Sequence, residues 1–495
     1  MVEGSGVLPA RVRGTLVNFS KDLLRTGDRR DRRAEERAMR IRSWIPCAVT
    51  LLLAACGQPQ TTPAGAGAPL LGGPGASLAA GRSASSSAQP VGRDRRREFV
   101  LYYFFEHDNG GRPRDGLVVG PYGSLFGTTS RGGRLGCPAE RGSCGTVYIM
   151  SNTDSGYLEF LLYSFCKERG CADGALPYAD VTFDKKRSMY GTTYEGGANN
   201  GGVVFRLTPR KDGSYKERVL YSFCPQVGCE DGSNPRSTLT LDSSGAIYGT
   251  TLYGGSKNGG VVFKLTPSSS GYTESVLHEF TGADGLYPEA GVVADAGGAL
   301  YGTTASGGGS GCATGCGVVF KLAPKGSQYT ETVLHEFAGG DDGAEPYAGL
   351  LLDKHGNLFG VTVEGGGTGC YGNGCGVAFE MKHGGTTYSE SVLHAFGGTD
   401  GSAPSGTLVF GKHGELYGTT SNGGLYRKGT VFAMKPAHSS YEFRSLYSFC
   451  KLAKCADGET PLGGVVPYDK TIYGTTWKGG DKGVGTVYAL SKPNR

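Results

Sequence analysis

The sequence predicts an all-β fold: a seven-bladed β-propeller of four-stranded antiparallel blades, closed by an N-terminal strand that completes the last blade. Three observations predict it. "FGTT" at Phe126 returns as "YGTT" at Tyr190, Tyr248, Tyr301, Tyr417 and Tyr473 and as "FGVT" at Phe359, at spacings of 64, 58, 53, 58, 58 and 56 residues. Each copy lies among four strand-like stretches. The two ends of the repeat region are incomplete in complementary ways.

Before the repeats, the chain divides by composition. "MRIRSWIPCAVTLLLAACG" begins at Met39, with Arg40 and Arg42 ahead of an apolar run from Ile45 to Leu53 and small residues before Cys56. This is the pattern of an export signal, and the run is too short for a permanent membrane span. The ending Leu53-Ala54-Ala55-Cys56 resembles the bacterial lipobox, which implies a signal over 39–55 and acylation of Cys56. Several acyl chains on one residue would anchor it firmly, at ~0.8 kcal/mol per buried CH₂. Residues 1–38 precede a complete signal and read as a non-native extension, with translation starting at Met39. Residues 56–97 are rich in Gly, Ala, Ser and Pro and read as a flexible tether.

Charge excludes one class of partner. The formal charge of +5 resides in residues 1–55, which hold 11 basic and 6 acidic residues; the rest balances at 39 against 39. A nucleic-acid-binding reading therefore loses its support.

The propeller is expected over 98–495. Its unit is clearest from Pro235, where "STLTLD" turns through "SSG" into "AIYGTT"; a Gly-rich loop leads to "GVVFKLT", and "PSSSG" to "YTESVLHEF". Alternation and β-branched residues argue strand throughout. "EFVLYYF" (Glu98 to Phe104) matches a fourth strand and "GTVYAL" (Gly485 to Leu490) a third, so the two ends together supply one blade. Closure of this kind removes exposed sheet edges.

The units resemble the GloVer tandem repeat of bacterial proteins grouped as choice-of-anchor. The "YGTT" core, the "GG…G(V/T)VF" step and the "D-G-x-x-P" turn carry the resemblance, over roughly residues 98–490. It implies export and repetition, and it transfers no catalytic residue.

Of 14 cysteines, Cys47 lies in the signal and Cys56 is the lipid site. The rest form close pairs: Cys137/Cys144, Cys166/Cys171, Cys224/Cys229, Cys312/Cys316, Cys370/Cys375 and Cys450/Cys455. A repeat that lacks one member lacks both, as "LHEFTGADG" does beside "LYSFCKERGCADG". That predicts disulfides in an oxidising compartment. Zinc is the rival, although each pair supplies two of the usual four ligands and no histidine is spaced to complete a site. In an up-and-down blade, second-to-third and fourth-to-next loops share a face, so all the bridges should decorate one side of the disc.

A proline precedes each inner strand, and the following position should line the rim of the central channel on the bridged face. It reads Arg114, Tyr178, Arg236, Glu289, Tyr347, Ser405 and Leu462. This unequal ring on a uniform frame is the candidate ligand rim; the competing reading is free drift of exposed loop positions. Asp173, Asp231, Asp284, Asp342, Asp400 and Asp457 each precede Gly and fit tight turns, and one carboxylate per blade does not make a calcium site. His278, His335 and His394 take the slot of Tyr163, Tyr221 and Tyr447 and read as planar packing residues.

Enzyme signatures such as G-x-S-x-G and H-E-x-x-H are missing. Only Trp477 lies in the repeats, so the regular tryptophans of quinone-dependent dehydrogenase propellers are missing too. Two functions stand. The first is a monomeric, non-enzymatic lipoprotein of the bacterial cell envelope, needing no cofactor or metal. It would bind a glycan, peptide or envelope protein through the bridged face. The second is a surface polysaccharide hydrolase or lyase using carboxylates such as Glu289 and Glu345, whose separation would separate retaining from inverting chemistry.

Overall fold

The computed structural model describes residues 97–105, 109–133, 144–153, 156–438 and 440–491. The proposed signal, Cys56, the tether, residues 1–38 and Cys137 lie outside the described residues. Within them, seven separate antiparallel sheets follow one another along the chain. Blade 1 runs from Val118–Val119 to Gly156–Ser164, and blade 2 from Thr182–Phe183 to Tyr215–Ser222. Blade 3 consists of Thr240–Leu241, Ile247–Thr251, Val261–Ser268 and Gly271–Glu279. Blades 4, 5 and 6 begin at Val293–Ala294, Leu351–Leu352 and Ser402–Pro404 and end at Gln328–Glu336, Tyr388–Ala395 and Ser440–Ser448.

Blade 7 is the closure. Its strands Val466–Tyr468, Thr471–Thr476 and Thr486–Ser491 are completed by Arg97–Tyr103, which pairs antiparallel with the last of them, Phe99 opposite Ala489. Both chain ends therefore share one sheet.

The third strand is apolar on both sides because it is covered on both sides. Val261, Val262, Phe263 and Leu265 are fully buried, the continuous pattern of a strand sandwiched between layers. Each core cluster fills the space between two blades. The one joining the ends holds Leu125 and Tyr148 of blade 1 with Tyr473 and Val487 of blade 7. The Gly of "YGTT" exists for this packing: a Cβ on Gly249 would lie 2.6 Å from Phe263 Cζ.

Two repeated contacts fix the blades to each other. The proline before each inner strand sits on a glycine of the preceding blade; Gly260 (φ +91°) would place a Cβ 2.7 Å from Pro288 Cδ. Gly485 and Pro113 repeat the contact across the closure. The first Thr of "YGTT" donates to an inner-strand carbonyl of the next blade: Thr128 to Ala179, Thr192 to Ser237, Thr250 to Ala290, Thr303 to Ala348, Thr419 to Gly463. Blade 5 has Val361 at this position.

The inner strands are shorter than the sequence suggests. "STLTLD" contributes only Thr240 and Leu241 to the ladder. Its earlier residues converge on the axis: a Cβ on Gly116 would lie 2.7 Å from the carbonyl oxygen of Gly464. The main chains of blades 7 and 1 thus approach one another closely there.

Candidate ligand-binding cavity

Five of the expected bridges lie within the described residues. Disulfides join Cys166 to Cys171, Cys224 to Cys229, Cys312 to Cys316, Cys370 to Cys375 and Cys450 to Cys455. Cys144 is also disulfide-bonded. Its Sγ and those of Cys166 and Cys171 lie within 4.8 Å of one another, which puts a second-to-third loop against a fourth-to-next loop. The Cys312–Cys316 and Cys370–Cys375 bridges pack in the same way on Gly339 and Gly398.

On this face the inner strands enclose a cavity of about 540 Å³. Arg114, Tyr178, Arg236, Glu289, Tyr347, Ser405 and Leu462 all line it. The proline-fixed register brings one side chain from each blade to one space, within the ~300–1,000 Å³ usual for small-ligand sites.

The lining is electrically divided. Arg236 forms an ion pair with Glu289 at 2.5 Å. Arg114 lies over the Tyr178 ring, its Cζ 4.4 Å from the centroid, with Arg236 5.8 Å from the same ring. Burial, then repulsion from Arg236, holds the Arg114 guanidinium below its ordinary pKa. On the far side Tyr347 donates to Glu345 at 3.0 Å. Burial, then the charge of Glu345, pushes the Tyr347 phenol up.

Asp115 was not among the sequence-predicted site residues, and it forms part of the cavity wall nearest the axis. Its carboxylate accepts from the amides of Gly116 (2.9 Å) and Asp180 (3.0 Å) and from Thr238 Oγ1 (3.3 Å). Burial raises its pKa, and the two amide donors counter part of the rise. Asp180 is raised further, by burial and by Asp115, and its Oδ1 is buried without a hydrogen-bond partner among the described residues. A signal for both was present. The position after the rim reads Asp115, Ala179, Ser237, Ala290, Ala348, Gly406, Gly463, and the next reads Gly116, Asp180, Thr238, Gly291, Gly349, Thr407, Gly464. Each axial column of small residues holds one acid.

The loop aspartates do more than turn the chain. Asp173 accepts from Tyr163 Oη (2.7 Å) and from the amides of Lys167 and Glu168. Asp231 and Asp457 accept likewise from Tyr221 and Tyr447. His278 and His394 reach Asp284 and Asp400 at 2.9 and 2.8 Å, and His335 stands 3.3 Å from Asp342. The histidines pack edge-on against Phe280, Phe337 and Phe396, as planar packing residues would. Their ring nitrogens additionally brace the loop carboxylates.

The profile of the Gloeobacter/Verrucomicrobia repeat matches residues 93–314, 189–374 and 310–495. The chain belongs to this repeat family. No curated protein matches it. Among solved structures, the chain is similar to the extracellular domain of what is named a one component system from B. thetaiotaomicron, at TM-score 0.41 and 11% identity. That match covers 70% of this chain and 37% of the other. A Thermus thermophilus protein named as an oxidoreductase (glucose dehydrogenase) matches at TM-score 0.33 and 13% identity, over 80% of this chain and 99% of the other. The chain thus spans little more than a third of the first neighbour.

Proposed function

We propose that this repeat protein is an extracytoplasmic binding module, lipid-anchored through Cys56, whose propeller holds a ligand in the central cavity of the bridged face. The observation that carries the reading is the cavity's construction. Seven repeats built alike place seven side chains of five kinds at one register, facing one space. A frame that served only to fill the envelope would gain nothing from that inequality. The oxidised cysteines favour an exported setting, and the bridges stiffen the loops around the opening.

In the enzymatic alternative, Glu289 is ion-paired with Arg236 and Glu345 accepts the Tyr347 hydroxyl. Asp115, a carboxyl raised by burial in the cavity wall, is the observation that keeps hydrolysis or elimination as a second reading.

A glycan and peptide array probed with the full chain tests the proposal, beside a variant in which Ser405→Trp fills the cavity. Binding that this substitution abolishes supports the module, and binding that survives it overturns the cavity as the site. Chromatography of the bound compound after long incubation separates the readings: an unchanged ligand supports binding alone, and products support the enzyme.

A further inference from the structure

Two cations line the cavity, and Glu289, whose charge reaches both, makes its ion pair with only one. Arg236 is held by Glu289, whereas Arg114 pairs with no acid within 4 Å among the described residues and rests on the Tyr178 ring. A guanidinium drawn out of water toward an aromatic face is a site lacking its anion.

The rest of the wall has the opposite character. Four of its hydroxyls have already donated: Ser405 to the Leu462 carbonyl, Thr240 to Val292, Ser421 to Ala403 and Thr238 to Asp115. What they leave toward the cavity is lone pairs, beside the carboxylate of Asp115. A wall of acceptors calls for a ligand rich in O–H donors. Tyr347, 38% exposed, adds a ring face at the opening. Large aliphatic pockets that would anchor peptide side chains are few, with Leu350 and Leu462 the bulkiest.

We infer, resting on the cavity as the binding site, that the ligand is an acidic oligosaccharide: a glycan bearing uronic acids. Its carboxylate sits on Arg114, its ring hydroxyls donate to the axial wall, and a pyranose face lies on Tyr347. Glu289 has two jobs in this arrangement. It keeps Arg236 from competing for the carboxylate, and it leaves a single net positive point on that side, which sets the ligand's direction.

Isothermal titration of the full chain with tri- and tetrasaccharides of galacturonate, glucuronate and mannuronate, each beside its methyl ester, is the test. At least one acid should bind about tenfold or more tighter than its ester, since a hydrogen bond to a charged group contributes about 1.5–3 kcal/mol. Arg114→Ala should remove that preference, so that acid and ester bind alike; Arg114→Gln, closer in size, carries the same test should the alanine variant not fold. Tyr347→Ala should weaken acid and ester alike. Acid and ester binding equally, with Ser405→Trp abolishing both, would overturn the charge assignment and leave the cavity standing. Acid binding untouched by Ser405→Trp would overturn the cavity itself. Binding of peptides alone, lost in Ser405→Trp, would overturn the glycan and keep the site.

Discussion

The Thr475 hydroxyl donates a 2.7 Å hydrogen bond to the main-chain carbonyl of Asp115, 360 positions away in sequence. It is the closing member of the threonine series that joins each blade to the next. The same Asp115 turns its carboxylate to the cavity, so the seal of the ring and the wall of the candidate site meet in one residue.

Removing that hydroxyl should loosen the closure. Thr475→Val leaves the Asp115 carbonyl without its partner in a half-buried place, a loss of about 1–3 kcal/mol. Blade 5 offers the reverse experiment, because Val361 occupies the donor's position there. Val361→Thr should add the missing bond to the carbonyl of Gly406 and stabilise by about 0.5–1.5 kcal/mol. Urea denaturation midpoints of the two variants should move in opposite directions.

A second series crosses the blade interfaces farther out. Glu159, Glu217, Glu274, Glu331, Glu390 and Glu98 take one register position on successive fourth strands, each opposite Met or Leu of the third. Glu217 faces Asp173 and Glu168, Glu274 faces Asp231, Glu331 faces Asp284, and Glu390 faces Asp342. Glu98 meets Asp457, Tyr447 and Lys451, whereas Glu159 meets Tyr102 and Asn109. Burial first, and the facing carboxylate where there is one, raises each of the six to about 7.

The sign follows from linkage. An acid whose folded pKa exceeds its unfolded value binds more protons when folded, so its contribution is complete below about 4.5 and is lost as pH rises toward about 7. His278 and His335, lowered by burial, act oppositely, losing stability as pH falls below their ordinary value of 6.5. Six glutamates against two histidines predict a net loss on raising the pH from about 5 to about 8. Thermal melts of the protein with Glu217, Glu274, Glu331 and Glu390 all changed to Gln should show a flatter pH dependence than the unaltered chain.

Blade 6 departs from that series, and its departure is informative. Phe443 replaces the glutamate and stacks on His394, with centroids 3.8 Å apart and planes 6° from parallel. An aromatic ring here takes the place of the glutamate that in blades 4 and 5 faces a loop aspartate. Phe443→Ala should destabilise by about 2–4 kcal/mol, less than a fully buried loss because the site is half-buried. A urea midpoint measured at two pH values checks it, and the loss should be similar at both.

Much of this was legible because the chain repeats itself. A single blade read alone shows four plausible strands; seven copies show which positions recur, and the proline at a fixed offset carries the register to Arg114, Tyr178 and Arg236. The same regularity hid the rest. Glu217 and Asp173 lie 44 residues apart in different blades, and nothing local says that an outer-strand acid meets a loop acid of the preceding blade. Asp115 is masked by its larger neighbour Arg114, although an acid in a column of Ala, Ser and Gly marks a position where the uniform axis has been altered. Cys137 lies outside the described residues, so its pairing stays an expectation.

The bridges should prove local in effect, and the protein carries its own control. The loop after blade 2 has Cys224–Cys229 with Asp231 accepting the Cys224 amide. The loop after blade 3 has no cysteine, yet Asp284 accepts from the amides of Thr281 and Gly282 and from the Thr281 hydroxyl. Carboxylate-to-amide bonds thus form the turn with or without sulfur, and the disulfide acts mainly on the unfolded chain. For so short a loop the chain-entropy account gives about 2 kcal/mol. Cys224→Ser with Cys229→Ser should lower stability by about that amount in urea titrations. Near-ultraviolet circular dichroism should be retained, and binding at the cavity kept within about twofold. Loss of the native spectrum would mean that the bridge organises the loop itself, contrary to the cysteine-free turn beside it.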